Sequence, residues 1–155
     1  MSNKKKSKEL PIVYACPGFS SAAQLANDLA VMFDRDHIAE MSCIAGVGGK
    51  VKPLLKTARS GREIIALDGC SLHCVKETLE QENITPDYHF DLSIMGVQKL
   101  RRTDYTEVEA MTASHNILDE LYEEGLLRED YHNTSLVPKK RQVIEKAIKS
   151  SKREG

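Results

Sequence analysis

The sequence is poor in what several common functions require. It has no Trp and only three Phe, so it offers few flat faces on which nucleobases could stack. Lys and Arg are offset by Asp and Glu to a net charge of −1, which leaves no excess of positive charge to hold a nucleic-acid backbone. No apolar run approaches the roughly 18 residues of a membrane span. The first nine residues, Met1-Ser-Asn-Lys-Lys-Lys-Ser-Lys-Glu9, lack the apolar core of a signal peptide. They read as a disordered basic arm, and the expected location is the cytoplasm. The glycines at 46, 48 and 49 are not followed by Gly-Lys-Ser/Thr, so the phosphate-loop signature fails.

What is present is ordinary in bulk and unusual in one respect. The 155 residues are 41% hydrophobic and 29% charged, which suits one domain able to bury roughly 70% of its unfolded surface. The four cysteines lie at 16, 43, 70 and 74, so the first three are separated by two equal steps of 27 residues. Each of those three closes a short apolar run: Pro11-Ile-Val-Tyr-Ala-Cys16, Ile38-Ala-Glu-Met-Ser-Cys43 and Glu63-Ile-Ile-Ala-Leu-Asp-Gly-Cys70. A period near 27 is close to one strand-plus-helix unit. Three thiols at one phase of successive units therefore fall at the carboxyl ends of parallel strands, where open α/β sheets bind their ligands.

The fold expected is α/β and Rossmann-like: a parallel sheet of about four strands with helices on its faces, plus a helical C-terminal extension. Strands are expected at 11–16, 37–43, 63–68 and 88–93. Ser20 or Ser21 can cap a helix over 22–33 whose inner face carries Leu25, Leu29, Met32 and Phe33. A glycine-rich loop follows at 45–49, then a helix with Pro53 in its first turn, a stripe of Val51, Leu54, Leu55 and Ala58, and Gly61 as its stop. Another helix is expected to begin at Cys70 and to pack Leu72, Val75 and Leu79 on the sheet. Thr106 and Glu109 fit a capping box for a helix with Val108, Met111, Leu118 and Leu121 inward. The divisions are the arm over 1–9, one metal-binding domain over 10–135, and a basic helical tail over 136–155 that either pairs with the acidic helix before it or, equally, leaves a solvated face on each.

Four cysteines converging in a reducing compartment, where disulfides rarely persist, point to metal or redox chemistry. Zinc accepts four thiolates at about 2.3 Å in a tetrahedron. Cys70 and Cys74, one helical turn apart, supply two ligands, with Cys16 and Cys43 completing the set at one zinc per chain. An iron–sulfur cluster uses the same ligand set and is the less favoured cofactor. Buried cysteines filling space and a redox dithiol are the competing readings, although Cys-x3-Cys departs from the Cys-x-x-Cys of thioredoxin-like motifs. Asp68, Gly18, Gly46 and Ser20 are candidates for the layer around the thiols. Lys99 and Arg101, with Arg102, offer an anion contact or a solvated basic turn. His73 reads as a surface histidine and His115 as a core-edge one.

The motifs Cys16-Pro-Gly18-Phe-Ser20 with Gln24-Leu-Ala-Asn27, Cys43-Ile-Ala-Gly46-Val-Gly48-Gly49, Asp68-Gly-Cys70 with Cys74, and Gly96-Val-Gln-Lys99 together resemble the DGC domain family of zinc-binding proteins, named for the Asp-Gly-Cys triplet. The resemblance covers about residues 11–100. Ala23 stands where many members carry glycine, a departure that touches no thiol. What the resemblance implies is a four-cysteine metal site; it names no reaction. The expected function is cytoplasmic zinc binding in a structural or metal-carrying role. The alternative is an enzyme working through a metal-activated or redox-active thiolate. Expected partners are a metal ion and, beyond it, a small anionic ligand or another protein, with neither nucleic acid nor membrane among them.

Overall fold

The computed structural model describes residues 9–127; the basic tail over 136–155 and all but Glu9 of the N-terminal arm lie outside them. Four strands form one parallel sheet: β1 (Ile12–Ala15), β2 (Glu40–Met41), β3 (Ile64–Asp68) and β4 (Tyr88–Asp91), in the order β2-β1-β3-β4. Helix α1 (Ser21–Arg35) joins β1 to β2. Two short helices, α2 (Ile44–Gly48) and α3 (Lys52–Ala58), lead to β3. Helix α4 (Cys74–Gln81) leads to β4, and a 3-10 turn (Leu92–Met95) precedes α5 (Glu107–Glu123). The expected α/β fold with its C-terminal helix is what the chain adopts. No helix among the described residues is long and apolar enough to cross a membrane.

Alternation along the strands feeds two cores. Val13, Ala15, Ile65, Leu67 and Phe90 face α1 and α5, against Leu25, Leu29, Phe33, Ile117 and Leu121. Ile12, Tyr14, Ile64 and Ala66 face the other way, against Val47, Ala58, Val75 and Leu79. The central strands β1 and β3 are buried throughout and apolar but for the terminal Asp68, as covering on both faces requires. Because α1 lies on one face and α4 on the other, the chain reverses its winding between β1 and β3. That crevice is the topological switch point of an open α/β sheet.

The amino ends of the strands are tied by one side chain. Arg62 donates from Nε and Nη2 to the carbonyl of Leu10 at 2.8 and 2.6 Å and pairs with Glu40 at 2.8 Å, immediately before β3. Ser20 caps α1 through a bond from the Ala23 N–H at 3.2 Å. Thr106 and Glu109 close the expected capping box on α5.

Several local expectations are corrected. The glycine-rich stretch is the helix α2, not a loop: Ile44 and Val47 are buried, and a Cβ on Gly46 would lie 1.8 Å from Leu54 Cδ1. Glycine's poor helix propensity is offset because the bare Cα gives Leu54 of α3 room to pack against α2. The strand at 37–43 shrinks to two residues at the sheet edge, paired with β1 alone. Val51 precedes α3 as its cap residue and is exposed. Val108 is 72% exposed, and the inner face of α5 is carried by Ala110, Ala113, Ile117, Leu118 and Leu121.

The helix expected from Cys70 begins only at Cys74, because residues 70–73 form a turn closed by the His73 N–H on the Cys70 carbonyl at 3.1 Å. Leu72 is left 65% exposed on that turn. Asp68 caps α4 from the end of β3, its carboxylate accepting the Val75 and Lys76 N–H groups at 2.8 and 3.2 Å. Gly69 follows because a Cβ there would stand 2.7 Å from the backbone of Ala22 and Ala23.

Two expectations follow. Gly69→Ala forces the start of α1 away from the sheet, and overpacking of this kind typically costs about 1–3 kcal/mol; urea unfolding of the metal-free protein should show it, and an unchanged midpoint would refute the close approach. The Glu109 carboxylate is held below its ordinary 4.5, chiefly by N–H donation from Gln98 and then Thr106. A depressed carboxylate contributes stability that is complete above its unfolded value and lost as pH falls through the folded one. Melting temperatures should therefore decline below about pH 4, and Glu109→Gln should flatten that decline.

Candidate metal centre

The phase of the cysteines is the phase of the strands. Cys16 lies one residue beyond β1, Cys43 two beyond β2 and Cys70 two beyond β3, while Cys74 opens α4. All four are unbridged thiols at the carboxyl edge of the sheet: Cys16 and Cys70 are half-buried, Cys43 and Cys74 exposed. Cys16 and Cys70 flank the switch point, because β1 and β3 are hydrogen-bonded neighbours.

The Cys16 loop is built to keep its sulfur in place. The Cys16 N–H continues the ladder onto the Leu67 carbonyl at 3.1 Å. Pro17 then breaks the strand, having no N–H to give. Gln24 reaches back from α1 and donates to the Gly18 carbonyl at 2.6 Å. A Cβ on Gly18 would stand 3.4 Å from the Cys16 sulfur and 3.2 Å from Ala23 Cβ, so glycine there leaves the thiol its space and its own N–H as a donor.

Burial pushes the Cys16 thiol above its usual 9.0; the Gly18 N–H works the other way, and the neighbouring Cys74, Asp68 and Cys70 add to the rise. Negative charge at Cys16 is thus resisted first by burial and then by the charges of Cys74, Asp68 and Cys70. A cation placed among them removes that resistance. Cys43 bears instead on Tyr14, whose phenol is raised first by burial, against a contribution from Ser42, with Cys43 raising it further. The Tyr14 hydroxyl is buried and makes no well-formed hydrogen bond.

A cleft of about 220 Å³ opens at this edge, with Cys16, Pro17 and Cys74 on one side, Ile44, Ala45 and Gly48 of α2 on another, and Val75 and Thr78 of α4 closing it. Gly48 keeps it open, since a Cβ there would crowd Thr78 at 3.2 Å.

As a donor set, four sulfurs suit a thiophilic ion. Among the described residues no three His, Cys, Asp or Glu side chains stand in a metal-ready group. The thiols are gathered at one edge without being closed into a tetrahedron. Of the residues expected around them, Gly18 and Asp68 bear on Cys16, whereas Ser20 serves as the α1 cap and Gly46 faces Leu54. Ser21 exchanges hydrogen bonds with Gln98 and Leu100 at 2.9–3.0 Å, which brings the exit of β4 to the start of α1. Arg101 lies 5.0 Å over the Phe19 ring, beside the Cys16 loop; Lys99 is exposed.

His73 is not the surface histidine expected. Its Nε2 lies 2.9 Å from Asp91 Oδ2, and His89 Nε2 lies 2.9 Å from Asp68 Oδ2. The two rings meet edge to face at 4.6 Å. Burial works to raise the Asp91 carboxyl, but the Ser93 and His73 hydrogen bonds outweigh it and hold it below its ordinary 3.8. His89 and Asp91 were legible in principle: alternation puts Tyr88 and Phe90 inward with α1, and hence His89 and Asp91 on the Asp68 side. His115 is a core-edge residue as expected, half-buried with a buried Nε2.

The family profile described as "DGC domain" matches residues 12–117. The chain is 60% identical over 90 residues, 58% of its own length and 69% of the relative's, to "Anaerobic and virulence modulator AnvM" from Pseudomonas aeruginosa. No solved structure matches. With two thirds of its residues inside that profile and its Asp-Gly-Cys triplet at the end of the third strand, the chain belongs to the DGC domain family.

Proposed function

We propose that this protein binds one thiophilic metal ion, zinc, through Cys16, Cys43, Cys70 and Cys74, and that it does so in the cytoplasm in a structural or metal-carrying role. The observation that carries the reading is the arrival of four unbridged thiols at one sheet edge around the switch point. Binding would exchange thiol protons for the metal, and the Gly18 N–H would draw charge from the Cys16 sulfur. Asp68 works from behind, fixing the start of the helix that carries Cys74. A saturated tetrathiolate has no open position for water, which favours binding over hydrolysis. The relative's printed name speaks of modulation, and a protein whose metal or thiol state is read by a partner agrees with it. Arg101 and Lys99 would give that partner, or a small anion, a cationic approach.

The cleft between Cys16 and Cys74 favours a second reading, a thiolate enzyme acting on a small molecule. The raised thiol of Cys16 weighs against it, since a nucleophilic cysteine is usually held low.

Protein purified without added metal should carry about one zinc per chain by elemental analysis and release four thiols on denaturation. Chelation should lower the melting temperature while leaving the fold, by an amount equivalent to about 2.7 kcal/mol where free zinc stands at 100 times its dissociation constant. A metal-free protein with no zinc affinity would end the proposal. In the zinc-free form a small alkylating agent should reach Cys43 and Cys74 first and Cys16 last; with zinc bound, all four should resist. Fast single-site modification of the zinc-loaded protein would instead support the enzyme.

A further inference from the structure

The turn that carries Cys70 and Cys74 is held from a strand that contributes no thiol. His73 sits in the left-handed region at φ 51° and ψ 43°, a conformation uncommon for a residue with a side chain and kept only where its surroundings enforce it. Its N–H closes the turn on Cys70 at 3.1 Å, and its carbonyl accepts the first bond of α4, from the Glu77 N–H at 2.8 Å. Its ring reaches across to Asp91 at the end of β4 at 2.9 Å. Asp91 is itself fixed by the Ser93 N–H and hydroxyl, at 2.9 and 2.5 Å on its other oxygen. The His89 ring stands edge-on to His73 and is fixed in turn by Asp68.

We infer that the Asp91–His73 pair is a latch that positions Cys70 and Cys74, holding both thiols toward Cys16 so that they can grip one ligand atom together. His73 is a positioning residue in this account: its Nε2 is engaged by Asp91, and its part is to hold the turn between the two thiols. The inference deepens the metal-binding reading and rests on it for its purpose, but the latch is a property of the dithiol alone. Backbone freedom at position 73 is then not enough; the tether to β4 is what matters.

The test compares His73→Gly, His73→Ala, Asp91→Ala and the His73→Ala/Asp91→Ala double variant. His73→Gly retains the left-handed backbone without strain and loses only the ring. Two probes are used on reduced, metal-free, full-length protein. In a Cys16→Ser/Cys43→Ser background, phenylarsine oxide bridges the remaining pair, forming two arsenic–sulfur bonds and releasing water, so its affinity reports the Cys70–Cys74 geometry. In the four-cysteine protein, cobalt(II) reports through its sulfur charge-transfer absorbance. Each single variant should lose about tenfold or more in arsenical affinity, the scale on which outer residues act at metal sites. The double variant should lose no more than the singles, as coupled partners do. Circular dichroism should show the fold retained, and the cobalt spectrum should weaken in parallel. Wild-type arsenical affinity in His73→Gly or in Asp91→Ala overturns the latch. Arsenical losses as expected, with no cobalt uptake even by the unaltered protein, keep the latch and sink the metal-binding reading.

Discussion

A buried carboxylate organises the functional edge of this domain. Asp68 is 1% exposed, and its two oxygens serve two backbone N–H groups of α4 and the His89 ring. An unpaired charge at such depth is strongly unfavourable, so the carboxylate holds its partners firmly. Its position at the last residue of β3 fixes where α4 starts, and that start carries Cys74. The next residue, Gly69, lets α1 pass within backbone distance, which brings the Cys16 loop against the same point. The triplet Asp68-Gly69-Cys70 therefore does three different things in three successive residues: it caps a helix, admits a second helix, and presents a thiol.

The sheet contributes the other half of the arrangement. Parallel strands deliver all their carboxyl ends to one side, so thiols recurring at one phase of a repeat need no further device to meet there. This explains why so much of the candidate site was legible. The 27-residue spacing encodes the unit length, and the apolar runs before Cys16 and Cys70 encode strands buried on both faces. The inner face of α1 was readable from Leu25, Leu29 and Phe33, as were its cap and that of α5, because capping and helical periodicity are local. What stayed hidden depends on partners far away in sequence. Three glycines in 46–49 suggest a loop until Leu54 is seen lying where a side chain on Gly46 would be. Cys70 and Cys74 are spaced as one helical turn, yet the left-handed His73 separates a turn from a helix at that point. The pairing of His73 with Asp91 needs the register of β3 against β4, which no single stretch of sequence contains.

Sulfur and imidazole share this edge without being equivalent there. Burial first, and the nearby Cys74, Asp68 and Cys70 after it, make Cys16 keep its proton the more readily. The imidazoles are engaged by carboxylates, His89 by Asp68 and His73 by Asp91. In the metal-binding reading proposed above, the sulfurs would form the soft inner layer and the imidazole–carboxylate pairs a polar frame that orients them.

At the opposite end of the sheet, Arg62 fastens the chain before β1 and before β3 to the first residue of β2. A fan pinned at its handle spreads only at its rim. If the proposed ion binds, the adjustment it asks of the four thiols would fall to the loops beyond the carboxyl ends, while the handle keeps its shape. The domain would report occupancy as a change in the splay of its rim, where Phe19, Leu72 and Ile94 stand exposed to whatever meets it.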